Sequence, residues 1–345
     1  MTLHCAFIGF GKSTTRYHLP YVLHRKDRWQ VAHIYRRRAK PEEQAPQYSH
    51  IHFTSDLDEV LNDPLVKLVV VCTHADSHFE YAKKALEAGK NVLVEKPFTP
   101  TLEEAKTLFA LANSKGLTVT PYQNRRFDSC FLTTKKVIES GKLGELVEIE
   151  SHFDNYRPLA ETNPGGPQNG EFYGLGVHTL DQIISLFGRP DHVSYDLRSL
   201  RNKANPDDTF EAQLFYGDMK ASVKTSHLVQ IDYPKFIVHG HKGSFVKYGI
   251  DQQETSLKAN IMPGEPGFGA DDSVGELVYV NEAGEMVREA VPLESGDYGR
   301  VYDALYDTLV NGQPNYVKET DVLTNMEILQ RGFEQPSPAT ITLTR

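Results

Sequence analysis

Cysteine is scarce in this chain: Cys5, Cys72 and Cys130 are the only three among 345 residues. They are widely spaced, form no CxxC pair, and mostly lie in apolar runs, so we interpret them as small buried side chains in a reducing compartment. An HExxH motif is also missing. His239 and His241 alternate across a turn with no third ligand nearby in the sequence. We therefore predict no metal site.

Long apolar runs are missing too. The longest, residues 68–72, is far shorter than the roughly 20 residues that cross a bilayer, and the N-terminus lacks the pattern of a secretory signal. Positive charge is not in excess, since 37 Lys and Arg against 46 Asp and Glu give a net charge of −9. A globally acidic chain argues against coating DNA or RNA. We expect a cytoplasmic protein with no membrane and no nucleic-acid partner.

The first 120 residues alternate short apolar runs with helical patterns. Such repeated β–α units predict a parallel, doubly wound sheet, that is, a Rossmann domain over residues 1–122. The predicted strands are 3–8, 29–35, 51–54, 68–73, 91–95 and 117–121, and the predicted helices between them include 55–61, 77–88 and 101–115.

The pattern changes after residue 122. Alternating runs separated by short turns indicate a large, open, mostly antiparallel sheet, so we predict an α/β domain over residues 123–345. Its predicted strands are 146–153, 192–200, 209–217, 219–228, 235–240 and 243–249. Its predicted helices are 127–140, 178–187, 300–310 and 319–331, with loops at 155–170 and 260–275.

A glycine turn, Gly9-Phe10-Gly11, ends the first predicted strand and opens a helix. In that position the first glycine permits a tight turn, the second admits a pyrophosphate, and the helix N-terminus supplies free donors. The third position of GxGxxG is Thr14, so the fingerprint is incomplete, but the context favours a dinucleotide over a merely tight turn. A Walker A loop is excluded because it would need glycine at Ala6.

The end of the second predicted strand discriminates between NAD and NADP. It reads Tyr35-Arg36-Arg37-Arg38, with no acid before Glu42. A carboxylate there would bind the ribose hydroxyls of NAD, whereas arginine binds a 2′-phosphate. The pattern predicts NADP, with NAD as the alternative; a solvated basic turn is the competing interpretation.

A lysine follows the fifth predicted strand directly, in Glu95-Lys96-Pro97. Ligands of an open parallel sheet lie beyond the carboxyl ends of its strands, so Lys96 is placed to reach the reactive ring of a cofactor. A surface lysine before a helix is the alternative.

Three motifs occur together: GFGKST at 9–14, EKP at 95–97 and GLGVHTLD at 174–181. In combination they resemble the glucose-fructose oxidoreductase/inositol dehydrogenase (Gfo/Idh/MocA) family over nearly the whole chain. The resemblance implies an NAD(P)-dependent oxidoreductase that transfers a hydride between nicotinamide and a secondary alcohol or ketone of a small polyol, sugar or sugar derivative. It also implies a homodimer or homotetramer through the C-terminal sheet.

The resemblance assigns roles to particular residues. Lys96 corresponds to a lysine that hydrogen-bonds the substrate hydroxyl and helps move its proton, and His178 to the general acid/base. Asp181 corresponds to the aspartate three residues further on, which shares a helix face with His178. One position departs: the family has aspartate where this chain has Gly174. The acid/base role is then weakened or transferred, with Asp181, Asp154 or a water as the compensating group.

Other candidates have two interpretations each. Asn124 is expected near the nicotinamide or in an interdomain hydrogen bond, and Thr73 and His78 near the cofactor, unless His78 faces solvent at a helix start. Tyr156 and Arg157 are expected to hold the substrate, unless the arginine is a structural cation. The predicted cofactor-binding residues are Gly9, Phe10, Gly11, Lys12, Ser13, Thr14, Tyr35, Arg36, Arg37, Thr73, His78, Glu95, Lys96 and Asn124. The predicted substrate-binding residues are Lys96, Tyr156, Arg157, His178 and Asp181, of which Lys96, His178 and Asp181 are predicted to be catalytic.

Two alternative functions remain open. Because Gly174 replaces the family aspartate, one alternative is a regulatory protein that has the same fold and senses the cofactor without catalysing a reaction. An imine or aldehyde reductase would use the same cofactor site with a different substrate loop.

Overall fold

The computed structural model describes residues 1–159 and 164–343. These residues form two compact units. Unit 1 comprises residues 1–124, 259–268 and 298–323, and unit 2 comprises residues 125–258, 269–297 and 324 onward. The single domain boundary expected after residue 122 stays a prediction, and part of the expected loop 155–170 lies outside the described residues.

Unit 1 is built on a six-stranded sheet in the order β3-β2-β1-β4-β5-β6, with every pair of neighbours parallel. The run of valines in β4 is fully buried, as expected for a strand covered on both faces. The predicted doubly wound parallel sheet is confirmed. Its strands are β1 (Leu3–Ile8), β2 (Trp29–Tyr35), β3 (His52–Thr54), β4 (Val66–Val71), β5 (Asn91–Val94) and β6 (Val119–Pro121).

Two helices of unit 1 begin at residues whose side chains cap them. Asp56 accepts a hydrogen bond from the Asp58 backbone, and Thr101 with Glu104 forms a capping box. Gly116 ends its helix in the left-handed conformation. The helices are α1 (Leu19–Leu23), which follows a π-helical turn at Thr14–His18, α2 (Leu57–Leu61), α3 (His78–Glu87) and α4 (Leu102–Lys115).

Unit 2 is built on a nine-stranded sheet in the order β14-β13-β12-β11-β7-β10-β9-β8-β15. Among the strands of this sheet that the structure describes, only β7 and β10 pair in parallel, so the predicted, mostly antiparallel sheet is confirmed. The strands are β7 (Leu146–His152), β8 (His192–Arg198), β9 (Thr209–Tyr216), β10 (Met219–Ser226), β11 (Phe236–Gly240), β12 (Gly243–Lys247), β13 (Val274–Val280), β14 (Met286–Pro292) and β15 (Ala339–Thr342). The last three strands are not among those expected from the sequence.

Unit 2 also contains helices. Cys130 and Phe131 on one of them pack against Phe236 at the start of β11. The helices are α5 (Ser129–Glu139), α6 (Val177–Phe187), which follows a π-helical turn at Phe172–Gly176, and α7 (Gln253–Lys258). None of the helices in the described ranges is long and apolar enough to cross a membrane.

The last two helices are α8 (Arg300–Asn311) and α9 (Glu319–Arg331). Although α8 comes late in the sequence, it completes the core of unit 1. The Trp29 indole N–H donates to the Tyr302 carbonyl at 3.0 Å, and the Arg25 guanidinium binds both carboxylate oxygens of Asp303 at 3.0 and 2.9 Å.

Candidate functional site

In the glycine turn after β1, a close approach to the neighbouring backbone requires glycine at position 9. Gly9 has a φ of +109°, and a Cβ built there would lie 2.6 Å from the Cys72 carbonyl oxygen. The Gly9 N–H donates to the Tyr35 carbonyl at 2.8 Å, so the turn is held between the ends of β2 and β4. At Gly11 a Cβ would meet nothing within 4 Å. The turn therefore presents open space at Gly11, as the approach of a pyrophosphate requires.

The Thr14 side chain stabilises this turn through a hydrogen bond. It is fully buried, and its hydroxyl donates to the Gly9 carbonyl at 2.8 Å. The next hydroxyl, on Thr15, donates to the Gly11 carbonyl at 3.2 Å. Thr14, which the sequence analysis placed among the cofactor contacts, thus shapes the turn.

A cleft of about 940 Å³ opens over the turn, at the point where the strand order reverses between β1 and β4. Open α/β sheets bind ligands at this switch point, and the volume suits a small-molecule site. Of the predicted cofactor residues, Gly9, Phe10, Gly11, Lys12, Ser13, Tyr35, Arg36, Arg37 and Thr73 line the cleft. Arg38, Lys40, Cys72, His74, Asp76, Ser77 and Tyr81 also line it and were not predicted.

The arginine cluster after β2 has two kinds of member. Arg36 is bound by Glu43 through Nε and Nη2 at 2.7 and 3.0 Å, and this pairing holds the pKa of Glu43 below its ordinary value. Arg37 and Arg38 are exposed at the wall of the cleft. Lys40 donates to the Phe10 carbonyl and so connects this cluster to the glycine turn. The Glu43 carboxylate is thus occupied by Arg36, and the exposed guanidiniums of Arg37 and Arg38 line the cleft.

Glu95 is the centre of a buried hydrogen-bond network. One carboxylate oxygen accepts from the Ser13 hydroxyl and lies 3.0 Å from His18 Nε2, and the other accepts from the Lys96 backbone N–H at 2.9 Å. His18 Nδ1 lies 2.7 Å from the Tyr302 hydroxyl. Burial opposes ionisation of Glu95, yet the His18 and Ser13 hydrogen bonds lower its pKa to about 2. Glu95 therefore acts as an anion that ties the cleft wall to Lys96.

His78 fixes the other side of Lys96. It is buried, with Nδ1 2.8 Å from the Pro97 carbonyl and Nε2 3.1 Å from the Thr73 carbonyl. Burial lowers the pKa of this imidazole below its ordinary value, although both carbonyl contacts oppose the shift. The ring does not face solvent; it holds the backbone around Lys96, whose own side chain is partly exposed. Asn124 is buried at the end of the first segment of unit 1.

The remaining predicted residues lie in unit 2. His178 and Asp181 are buried in the first turns of α6, and Asp181 is held by Arg126 through two hydrogen bonds of 2.8 Å. Tyr156 is half-exposed and forms an isolated bridge with Leu228. Lys96 belongs to unit 1 and His178 to unit 2.

The departure at Gly174 has a structural counterpart. A Cβ built at Gly174 would lie 3.1 Å from Oε2 of Glu171, so the Glu171 carboxylate occupies the space beside this position. Glu171 Oε1 lies 3.3 Å from Nε2 of the buried His227. Sequence reasoning missed both residues. The signal in the sequence that could have indicated Glu171 is its position, as an acid three residues before Gly174.

Asp207 anchors the π-helical turn that precedes α6. Its side chain accepts from the Phe172 N–H at 2.7 Å, and its carbonyl accepts from the Glu171 N–H at 3.0 Å. Burial raises the pKa of Asp207 to about 7, and the charge of Glu171 adds to the shift. Its neighbour Asp208 has the opposite environment: burial opposes ionisation, but hydrogen bonds from Leu200 and Arg201 lower its pKa.

These two aspartates predict opposite stability effects. Since the folded state holds a proton on Asp207 more tightly than the unfolded state does, its contribution is complete below pH 3.8 and is lost as pH rises through about 7. Asp207→Asn should therefore stabilise the protein at pH 8.5 by about 2–4 kcal/mol, because each pKa unit is worth about 1.4 kcal/mol. Asp208→Asn, the matched control, should destabilise it. Urea unfolding at pH 5 and pH 8.5 measures both, and equal pH dependence of Asp207→Asn and the natural protein would contradict the prediction.

The sheet order, the glycine turn and the cleft at the switch point together define a dinucleotide-binding protein. Comparison with known families agrees. Residues 3–123 match the oxidoreductase family's NAD-binding Rossmann fold, and residues 135–342 match the oxidoreductase family's C-terminal alpha/beta domain. The chain belongs to the Gfo/Idh/MocA oxidoreductase family, which confirms the resemblance seen in the sequence.

Individual relatives are similar over 93% or more of their length. The uncharacterized oxidoreductase YhhX of Escherichia coli (strain K12) is 83% identical over 345 residues, 100% of both chains, and the crystal structure of a probable oxidoreductase yhhX superposes with a TM-score of 0.99. An oxidoreductase structure from Bacillus cereus has 50% identity and a TM-score of 0.97 over 100% of this chain and 99% of that one. The scyllo-inositol 2-dehydrogenase (NADP(+)) IolW of Bacillus subtilis (strain 168) is 32% identical over 338 residues, 96% of this chain and 93% of that protein.

Proposed function

We propose that this oxidoreductase uses NADP to interconvert a secondary alcohol and a ketone on a small polyol, sugar or sugar derivative. The observation that carries the proposal is the cleft over the glycine turn, with open space at Gly11 and exposed Arg37 and Arg38 at its wall. The 32% identical relative IolW is named for scyllo-inositol and NADP(+), which supports the same substrate and cofactor class.

The residues present fit a dinucleotide. Gly9 and Gly11 with the N-terminus of the following helix would hold the pyrophosphate, and Arg37 would hold the 2′-phosphate. When bound, the nicotinamide gives or takes the hydride. The reacting C–H carbon also carries an O–H, which must lose its proton as the hydride leaves. Lys96 binds that hydroxyl oxygen, and His178 accepts its proton, with Asp181 holding the start of α6 through Arg126.

A substrate screen tests the proposal. The natural protein is incubated with NADP or NAD and a panel of inositols, aldoses, ketoses and sugar acids, and cofactor reduction is followed by the absorbance of the reduced nicotinamide. Turnover of a polyol or sugar with NADP is the expected result. Tight NADP binding with no turnover would favour the cofactor-sensing regulator, and reduction of imines or aldehydes alone would favour the reductase alternative.

Cofactor preference depends on Arg37. Arg37→Glu should raise the Kd for NADPH by about 10–100-fold, since a charge-assisted contact to phosphate is lost and a repulsive charge is added. The Kd for NADH should stay within about threefold, because NADH lacks the 2′-phosphate. Lys26→Glu, an equal charge change at an exposed position, is the control. Fluorescence titration measures both; a parallel loss of NADH affinity would contradict a 2′-phosphate contact.

We further propose that the unit 2 sheet joins two or four copies of the chain in the cytoplasm. Val238 and Phe245 are fully buried on one face of the sheet, whereas Ile237 and Val246, paired across β11 and β12, stay partly exposed on the other. The three cysteines are free buried thiols, in keeping with a reducing compartment. Sedimentation equilibrium is expected to give a dimer or tetramer, and a monomer at micromolar concentration would count against it.

A further inference from the structure

The carboxylate of Glu171 lies beside Gly174, which comes shortly before His178 in the sequence. Its Oε2 is 3.1 Å from the Cβ position of Gly174, and Gly174 precedes His178 by four residues. Residues four apart on a helix lie on the same face. Gly174 has no side chain, so it leaves the room that Glu171 fills.

His227 faces this carboxylate from the end of β10. Its imidazole is buried, and Nε2 lies 3.3 Å from Oε1 of Glu171 without the alignment of a hydrogen bond. Across residues 1–159 and 164–343, neither ring nitrogen of His227 has a hydrogen-bond partner. A buried polar ring in this state costs folding free energy, so it points to a group that arrives with a ligand.

The segment beside His227 contains the two expected substrate residues. The Arg157 N–H donates to the His227 carbonyl at 2.8 Å, and Tyr156 bridges Leu228. Arg201 donates to the Arg157 carbonyl at 3.0 Å and is itself paired with Asp208. The strand end therefore holds His227 next to Tyr156 and Arg157 through backbone contacts.

We propose that Glu171 and His227 form a specificity site for the uncharged, hydroxyl-bearing end of the substrate. This inference rests on the proposed function and names the part of the substrate that His178 does not handle. A hydroxyl both donates and accepts, so it donates to the Glu171 carboxylate and accepts from, or donates to, the His227 ring. A carboxylate at that end of the substrate is rejected because it meets the negative charge of Glu171.

A matched pair of ligands tests the assignment by binding alone. Glucose and glucuronate differ only in that one carries a hydroxymethyl group and the other a carboxylate, and scyllo-inositol serves as the neutral cyclic probe. Their Kd values are measured by calorimetry on the NADP-saturated full chain. We expect Glu171→Gln to weaken scyllo-inositol and glucose by tenfold or more, and to improve glucuronate relative to glucose.

Gly174→Ala provides a second variant that keeps Glu171. The added methyl displaces the carboxylate, so neutral ligands should weaken at least fivefold while the thermal midpoint stays level or rises, since alanine favours helix over glycine. Glu282→Gln, which removes the same charge from an exposed turn, should change nothing, and the NADP Kd should stay within twofold in all variants.

The results separate this inference from the proposed function. Unchanged ligand Kd values in both Glu171→Gln and Gly174→Ala, or an unchanged glucose-to-glucuronate ratio, would overturn the Glu171–His227 site even if turnover is found. Failure of all three probes to bind the natural protein would overturn it as well. If the ligand Kd values change as expected but no substrate reduces the cofactor, the Glu171–His227 site is supported and the proposed reaction is contradicted.

Discussion

Replacing Lys96 by methionine is expected to lower kcat with a polyol or sugar substrate by about 10²–10⁴-fold, the usual contribution of a positioned proton-handling group. The backbone of Lys96 is fixed by the Glu95 carboxylate on one side and by the His78 contact to the Pro97 carbonyl on the other. Methionine keeps an unbranched side chain that ends at the Cε position and removes the ammonium. Steady-state rates with the substrate found in the screen measure the effect.

The Lys96 experiment needs readouts that exclude a folding defect. The NADPH Kd and the urea midpoint of Lys96→Met should stay close to those of the natural protein, since the backbone supports remain. Lys83→Met on the exposed face of α3 is the control and should keep full activity. A Lys96→Met variant with turnover within threefold of the natural protein would remove Lys96 from the mechanism.

The second large effect separates the two glycines of the turn. Gly9→Ala should destabilise the protein by about 2–5 kcal/mol, because the new Cβ meets the Cys72 carbonyl oxygen at 2.6 Å and the φ of +109° is strained for alanine. Gly11→Ala should leave stability unchanged or raise it by about 0.4–1 kcal/mol. Its methyl group projects into open space at the cleft and should weaken NADPH by tenfold or more.

Urea unfolding and NADPH titration, applied to both variants, give a crossed pattern. Gly9→Ala loses stability first, whereas Gly11→Ala loses affinity alone. If Gly11→Ala binds NADPH as tightly as the natural protein, the pyrophosphate does not lie over this turn, and the proposed cofactor site is wrong.

The strands of unit 1 could be predicted because burial on both faces leaves a continuous apolar run. Strand β5, for example, is Asn91–Val94 against an expected 91–95. Strand β14 (Met286–Pro292) lacks that signal, since its residues alternate between exposed and partly exposed. It exists because it pairs with β13 across a turn that contains Gly284, whose φ is +80°. Local hydrophobicity cannot reveal a strand whose stability comes from its neighbour.

The candidate site divides in the same way. Gly9, Gly11, Arg37 and Thr73 follow strand ends, and parallel topology brings strand ends to one edge of a sheet, so motif position alone placed them at the cleft. Contacts between residues far apart in the sequence could not be predicted. Glu95 and His18 are 77 residues apart. No pattern along the chain indicates that such groups meet.

The late return of the chain to unit 1 has a consequence for how the protein is made. A nascent polypeptide that ends at β6 lacks Tyr302, the hydrogen-bond partner of both His18 and Trp29. The core around the first six strands is therefore completed only when α8, about 180 residues further along the chain, has been synthesised. Trp29 is the sole tryptophan, and its ring lies 6.1 Å from the rings of Tyr302 and Tyr306. A change in its fluorescence should therefore report when α8 packs against the N-terminal part of unit 1.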